Sequence, residues 1–285
     1  MIDTPIELYA NNGIPYFVKR EDLSCKKPGP PFAKVRGLYP VLFALKKKGI
    51  ISVAYVDTAI SMAGWGVSYF AQELGMKAII YYPKYKDGYR YEQAKHIKLC
   101  QKFGATIIPI EKPQMLQINR NIAKKRLVVD FPGSYMLPSG LTFPETVEEV
   151  SKEVASIKPF EIKTIIICTG SGAMTAGIVK GLIENNIQIH TLLSVQVHKN
   201  KNAIRSKQKI MTLSGVPLRG DLFRKGIMDI IQNFEVINGD YLYEEVPQIK
   251  SPFPCNPYYD LKAYEFMINN LGKLLQPILF WNIGE

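Results

Sequence analysis

Short apolar runs alternate with helical stretches along most of this chain, and no other feature narrows its possible folds so far. Ser52-Val53-Ala54-Tyr55-Val56 is a β-rich run, followed by a helical stretch over residues 66–74 that Gly75 stops. The next strand spans residues 77–82 and closes at Pro83. The cycle repeats with a basic helix over residues 91–103, the stop Gly104-Ala105 and a strand over 106–110. A third copy predicts a helix from about residue 114 to 125, running into a strand at Leu127-Val128-Val129-Asp130. Apolar strands joined by helices predict a parallel sheet covered on both faces.

The second half continues the pattern. After a loop rich in Pro, Gly and Ser at residues 131–144, a helix is expected over 145–157. Thr164-Ile165-Ile166-Ile167-Cys168 reads as a fully buried strand feeding a glycine-rich turn. A helix over 175–185, a strand over 189–197 and a last apolar strand at Pro277-Ile278-Leu279-Phe280-Trp281 complete the pattern. The expectation is an α/β protein of two units.

Composition removes several classes. A chain of 285 residues with 47% hydrophobic and 21% charged side chains can fill a core, which argues against disorder. No apolar run reaches the roughly 18 residues of a membrane span, and Met1-Ile2-Asp3-Thr4-Pro5 has no signal-peptide core, so no membrane partner is expected. Cys25, Cys100, Cys168 and Cys255 lie far apart, without a CxxC pair, beside only three histidines. No zinc cluster or disulfide framework is expected, and a reducing, cytoplasmic setting is. The net charge of +11 is the compositional oddity. It is regional: residues 198–225 carry eight Lys/Arg against one acid, and residues 84–126 eleven against three. Solvated helix faces account for such stretches as well as a polyanionic partner does.

The sharpest local feature is Thr169-Gly170-Ser171-Gly172-Ala173-Met174-Thr175-Ala176-Gly177, between a buried strand and a helix. Small residues let backbone N–H groups converge on an anion, and the helix N-terminus adds its partial positive charge. No Lys-Ser/Thr follows as in a Walker A loop, and Thr175 stands where the dinucleotide fingerprint needs its third glycine. A tight connection with no ligand is the plain alternative. A phosphate loop without ATP or NAD signatures directs attention to phosphorylated cofactors. Pyridoxal phosphate (PLP) also requires a lysine for a Schiff base.

Several segments together resemble the tryptophan-synthase-β-like, or fold type II, family of PLP-dependent enzymes, and most of all its aminocyclopropane-carboxylate deaminase and D-cysteine desulfhydrase branch. Thr4-Pro5-Ile6-Glu7-Leu8 and Arg20-Glu21-Asp22-Leu23 match the opening "TP…L…REDL". Pro31-Phe32-Ala33-Lys34-Val35-Arg36-Gly37-Leu38 is similar to "GGNKxRKLE", and the turn at 169–177 to "TGSGGTxAG". Pro138-Ser139-Gly140 stands at "IPAGG", and Tyr258-Tyr259-Asp260-Leu261-Lys262-Ala263 resembles "YEGK(S/A)". The likeness covers almost the entire chain in order.

The resemblance implies two parallel-sheet α/β domains with the cofactor in the cleft between them. Residues 1–39 plus 145–285 would form the larger, cofactor-binding domain, and 40–144 the smaller. Lys34 would hold PLP as an internal aldimine and then shuttle the substrate's α-proton. Backbone N–H groups along Thr169, Gly170, Ser171, Gly172, Ala173, Met174 and Thr175 would bind its phosphate, and Asp260 would contact the pyridine nitrogen. Tyr259 and Ser61 would act on the substrate; without the family match, Tyr259 and Asp260 read as a packing aromatic and a helix N-cap. A homodimer is implied as well.

Four positions depart from the family pattern. Met62 occupies the place of an asparagine that bonds the pyridoxal 3′-oxygen, and a thioether donates no hydrogen bond. Phe32 and Ala33 replace two glycines, and Asn282 replaces a threonine. Cofactor binding therefore reads as retained and substrate chemistry as re-specialised. The leading expectation is a PLP enzyme acting at the α- or β-carbon of an amino-acid-type substrate, by elimination, deamination, decarboxylation or replacement. One alternative is an amino-acyl group carried on a polyanion such as nucleic acid, steered by the basic stretches. Others are a degenerate, non-catalytic binding protein and a nucleotide-binding α/β protein.

Overall fold

The computed structural model describes residues 3–86, 88–199, 202–216 and 229–285. The chain divides into two compact units: Met1–Lys26 with Pro31–Arg36 and Pro144–Glu285, and Lys27–Pro30 with Gly37–Phe143.

The larger unit is built on a six-stranded sheet. It opens with a hairpin of β1 (Ile6–Asn11) and β2 (Ile14–Arg20), joined at Asn12-Gly13. Both turn residues take positive φ, 50° and 78°, which an Asn-Gly pair tolerates and which matches the twist of the strands. The other four strands are β7 (Thr164–Thr169), β8 (Ile189–Gln196), β9 (Ile231–Ile237) and β10 (Ile278–Asn282). The order is β1-β2-β10-β7-β8-β9, parallel throughout except for the hairpin. Every residue of β7 and β10 is buried, as expected of central parallel strands covered on both faces.

On one face lie α5 (Pro144–Glu153) and α6 (Ala173–Glu184), packed among Val147, Val150, Val154, Ile165, Ile167 and Ile178. A Cβ on Gly177 would stand 2.5 Å from the Val150 Cβ, so glycine sets the close approach of these helices. The opposite face carries α8 (Asp260–Asn270), with Leu261, Tyr264 and Met267 against Ile166, Cys168 and Phe280. Helix α7 (Ala203–Leu213) follows β8 and places Ile210 and Met211 in the first core.

The smaller unit has a fully parallel sheet of β3 (Ser52–Val56), β4 (Lys77–Pro83), β5 (Thr106–Ile110) and β6 (Tyr135–Met136), in the order β5-β4-β3-β6. Its helices include α1 (Val35–Lys47), which begins directly after Lys34, α2 (Ala63–Glu73), α3 (Tyr91–Lys102) and α4 (Leu116–Asp130). One expected strand is overturned here. Leu127-Val128-Val129-Asp130 is the last turn of α4, and the strand comes later, at β6. Asn119, Ala123 and Leu127 are buried at four-residue spacing, whereas Val128 and Val129 are 74% and 79% exposed, so the run continues a helix face. The helix expected over 145–157 ends at Glu153 and gives way to 3₁₀ turns at Val154–Phe160.

Candidate active site

Glu21 and Asp22, from the opening motif, sit in a buried ionic network. Arg36 donates to Glu21 (2.6 Å from Nε) and pairs with Glu153 at 2.8 Å, while Lys19 pairs with Glu153 at 2.8 Å. Arg20 grips Asp22 with two hydrogen bonds of 2.9 and 2.7 Å. Fully desolvated charges such as these are tolerated only when each finds a partner. The network clamps the segment that carries Lys34 from its C-terminal side.

From the other side Lys34 is tied to the end of the chain. Ala33 N–H donates to the Ile283 carbonyl at 2.9 Å, and Phe32 bridges Gly284. Ile283 N–H in turn donates to Asp260 Oδ1 at 2.8 Å. One residue of the strand end thus links the lysine segment to the aspartate. Cys168 completes the group, donating from Sγ to Asp260 Oδ1 at 3.5 Å. Burial and the Asp260 carboxylate push the Cys168 thiol well above its ordinary range, and the nearby Lys34 ammonium opposes them.

Asp260 is wholly buried, and among the described residues its Oδ2 has no hydrogen-bond partner. Desolvation pushes its carboxyl up to about 8, with the Ile283 N–H and Cys168 working in the opposite direction. Tyr259, the residue before α8, makes no side-chain cap hydrogen bond, and Asp260 opens the helix. The Asp260 Oδ2 is open to a partner from outside the chain.

Tyr259 precedes it. Asn256 Oδ1 accepts from the Tyr258 and Tyr259 N–H groups, at 3.0 and 3.1 Å, and fixes that turn. The Tyr259 ring lies 3.8 Å from where a Cβ on Gly170 would stand, so tyrosine and glycine turn adjoin. Its hydroxyl meets that of Tyr243 at 2.5 Å. Lys262 Nζ donates to the carbonyls of Val197, Leu242 and Tyr243 at 3.0, 2.9 and 3.0 Å, which anchors the loop carrying Tyr243.

The glycine turn leaves β7 at Thr169. Gly172 is the residue before α6 and has φ 89°, which favours glycine; a Cβ there would also press on Ile210 of α7 at 3.0 Å. First-turn N–H groups of a helix have no intrahelical acceptor and are available to an anion. Met174 and Thr175 contribute only backbone in that direction. The Met174 side chain is in the core, and the Thr175 hydroxyl is paired with that of Ser194 at 3.0 Å. Residues 169–172 line a cavity of about 330 Å³, whose other wall is Asn202, Arg205, Ser206 and Lys209 of α7 and its cap.

Ser61 belongs to the smaller unit, in the turn between β3 and α2. Its hydroxyl accepts from Ala63 N–H at 3.1 Å. The turn is built on Asp57, whose Oδ1 accepts from Thr58 N–H and whose Oδ2 accepts from Gly64 N–H (2.6 Å) and the Tyr82 hydroxyl (3.2 Å). Met62 immediately precedes α2. The structure therefore brings Lys34, Tyr259, Asp260 and the glycine turn together within the larger unit, with Ser61 on the smaller one. Cys168, Tyr243, Asn256 and Arg205 add to the site beyond what the motifs indicated. Of these, Cys168 had a signal, its place immediately before the turn.

Residues 2–240 match the family model described as "Pyridoxal-phosphate dependent enzyme". The chain belongs to this family. A glycyl-dTMP PLP-dependent decarboxylase of Pseudomonas phage M6 is 33% identical over 290 residues, which cover 99% of each chain. Among solved structures, an ACC deaminase homologue superposes with a TM-score of 0.78 at 21% identity, covering 100% of this chain and 90% of that one. A fungal L-serine ammonia-lyase from Rhizomucor miehei gives 0.63 at 17% identity, over 100% and 94% of the two chains. These two likenesses establish the fold, that of the fold type II PLP enzymes. The cofactor of this PLP-dependent enzyme is pyridoxal 5′-phosphate, and the residues present fit it: a lysine, an orphaned buried carboxylate oxygen close by and an anion cradle in one unit.

No helix among the described residues is long and apolar enough to cross a membrane.

Proposed function

We propose that this PLP-dependent enzyme removes the carboxylate from an amino-acid group carried on a nucleotide. The carrying observation is the whole-length likeness to the glycyl-dTMP decarboxylase, 33% identical over 99% of both chains. The departures from the deaminase pattern at Met62, Phe32, Ala33 and Asn282 support a substrate other than a free amino acid.

When bound, PLP supplies a sink for the electron pair left on carbon as one of its bonds breaks. Lys34 anchors the cofactor through its amine. The turn from Thr169 to Thr175 neutralises the phosphate with backbone N–H groups. Asp260, whose Oδ2 has no partner among the described residues, would face the pyridine nitrogen and, as a carboxylate, keep a proton there. In the reaction the bond between the α-carbon and the carboxylate breaks, CO₂ leaves, and the α-carbon takes up a proton. Lys34, whose amine would hold the cofactor at rest, is the group that would deliver that proton as an ammonium. Tyr259, beside Gly170 and braced by Tyr243, orients the amino-bearing part of the substrate. Ser61 remains in the proposed catalytic set through the resemblance. A homodimer and a cytoplasmic setting complete the reading; the four cysteines, none of them in a disulfide among the described residues, support the second.

The test is incubation of the PLP-loaded protein with a glycyl-bearing nucleotide. The expected result is release of CO₂ and a product lighter by its mass, absent in Lys34→Ala. Ammonia release from free D- or L-amino acids, with the glycyl nucleotide untouched, would assign deamination instead.

A further inference from the structure

The cavity beside the glycine turn has a second wall whose chemistry the cofactor phosphate does not require. We propose that Arg205 and Lys209 on that wall form a subsite for the phosphate group of the substrate. This rests on the reading that the substrate is nucleotide-linked.

Arg205 and Lys209 stand one helical turn apart on α7, so both point from the same face, and both line the 330 Å³ space together with residues 169–172. Asn202 caps the helix, its Oδ1 accepting from Arg205 N–H at 2.9 Å, which fixes the first turn. Ser206 lies between the two cations. Its Oγ accepts from Nε2 of the fully buried Gln196 at 2.8 Å, so its own proton is left to donate into the cavity. Among the described residues no acidic side chain pairs with Arg205 or Lys209, whereas Lys152 and Lys180 on α5 and α6 are both matched with glutamates. The α6 end of the space offers backbone donors for one anion. The α7 wall offers a guanidinium fork, an ammonium and a hydroxyl, the donor set of a second phosphate. Part of the basic stretch at 198–225, namely 200–201 and 217–225, lies outside the described residues.

A terminal phosphomonoester and a phosphodiester within a strand share this chemistry. Calorimetric titration of the PLP-loaded protein with thymidine, with dTMP and with a short single-stranded oligonucleotide, at two salt concentrations, separates them. Wild type is expected to bind dTMP at least tenfold more tightly than thymidine. Arg205→Gln/Lys209→Gln is expected to abolish that preference while its affinity for PLP, read from visible absorbance, stays within twofold. Tighter, more steeply salt-dependent binding of the oligonucleotide would name the phosphodiester as the natural group. Equal binding of dTMP and thymidine by wild type would overturn the proposal. So would a double variant that loses PLP, since the α7 wall would then serve the cofactor. If dTMP is preferred through Arg205 and Lys209 yet no glycyl nucleotide is decarboxylated, the subsite stands and the proposed reaction falls.

Discussion

Two buried aspartates, one in each unit, sit beside a strand-to-helix turn, and their surroundings are opposite. Asp57 spends both oxygens on its own turn, accepting from Thr58, Gly64 and Tyr82. A Cβ on Gly64 would fall on its Oδ2, so backbone and carboxylate are fitted to each other. Asp260 engages one oxygen, with Ile283 and Cys168, and leaves the other buried without a donor. A satisfied buried carboxylate holds a fold together; an unsatisfied one costs stability and is retained for what it will bind. The same residue type is thus fully engaged in one unit and, among the described residues, half-engaged in the other.

Substitution separates the roles most sharply. Asp260→Asn is expected to lower turnover about 10²–10³-fold with little loss of melting temperature, because it removes the charge aimed at the electron sink while leaving an acceptor for Ile283 N–H. Steady-state kinetics beside a thermal melt reads both quantities. Asp57→Ala is expected to act the other way, costing about 1–3 kcal/mol of stability as Gly64 N–H and the Tyr82 hydroxyl lose their acceptor. Denaturant titration measures that cost. A large activity loss in Asp57→Ala at full stability would erase the distinction.

The pH dependence distinguishes them further. Burial raises both carboxyls, Asp57 to about 6 and Asp260 to about 8. A carboxyl with a raised native pKa favours folding most at low pH, and that contribution is lost as pH climbs through the native value. Cofactor-free protein is expected to lose stability from about pH 4 to 8 on account of Asp260, and Asp260→Asn flattens that slope. For Asp57 the loss is complete near pH 6. Melting temperatures across the range check both windows. The smallest effect is expected for Tyr243→Phe, which removes one hydroxyl contact to Tyr259 at a cost of about 1 kcal/mol or less in transition-state binding. It is read as a change in kcat/KM.

Much of this was legible in the residues, and unevenly so. Strands β3, β4 and β7 announce themselves as apolar runs, since interior parallel strands are buried on both faces; β5, at a sheet edge, and β8 carry the signal more weakly. The run Leu127-Val128-Val129-Asp130 carries the same composition but is helical, because β-branched residues on an exposed helix face look like a strand when burial is unknown. The β1–β2 hairpin is marked in the sequence only by Asn12-Gly13, because β1 lies at the sheet edge and β2 ends in the buried but polar Lys19 and Arg20. The glycine turn stood out from its own residues, whereas Lys34, Tyr259 and Asp260 were accessible only through the order of the family motifs. Tyr243 and Arg205 come to the site from segments 16 or more residues away along the chain, which no local pattern encodes, whereas Cys168 stands directly before the turn.

The central claim is that Lys34 carries the cofactor. It is tested most directly by adding PLP to the purified protein, reducing with borohydride, digesting and mapping the modified lysine by mass spectrometry. The account expects a visible absorbance band that reduction abolishes, and one pyridoxyl group, on the peptide containing Lys34. A protein that stays colourless with PLP, or a label on any other lysine, would contradict it.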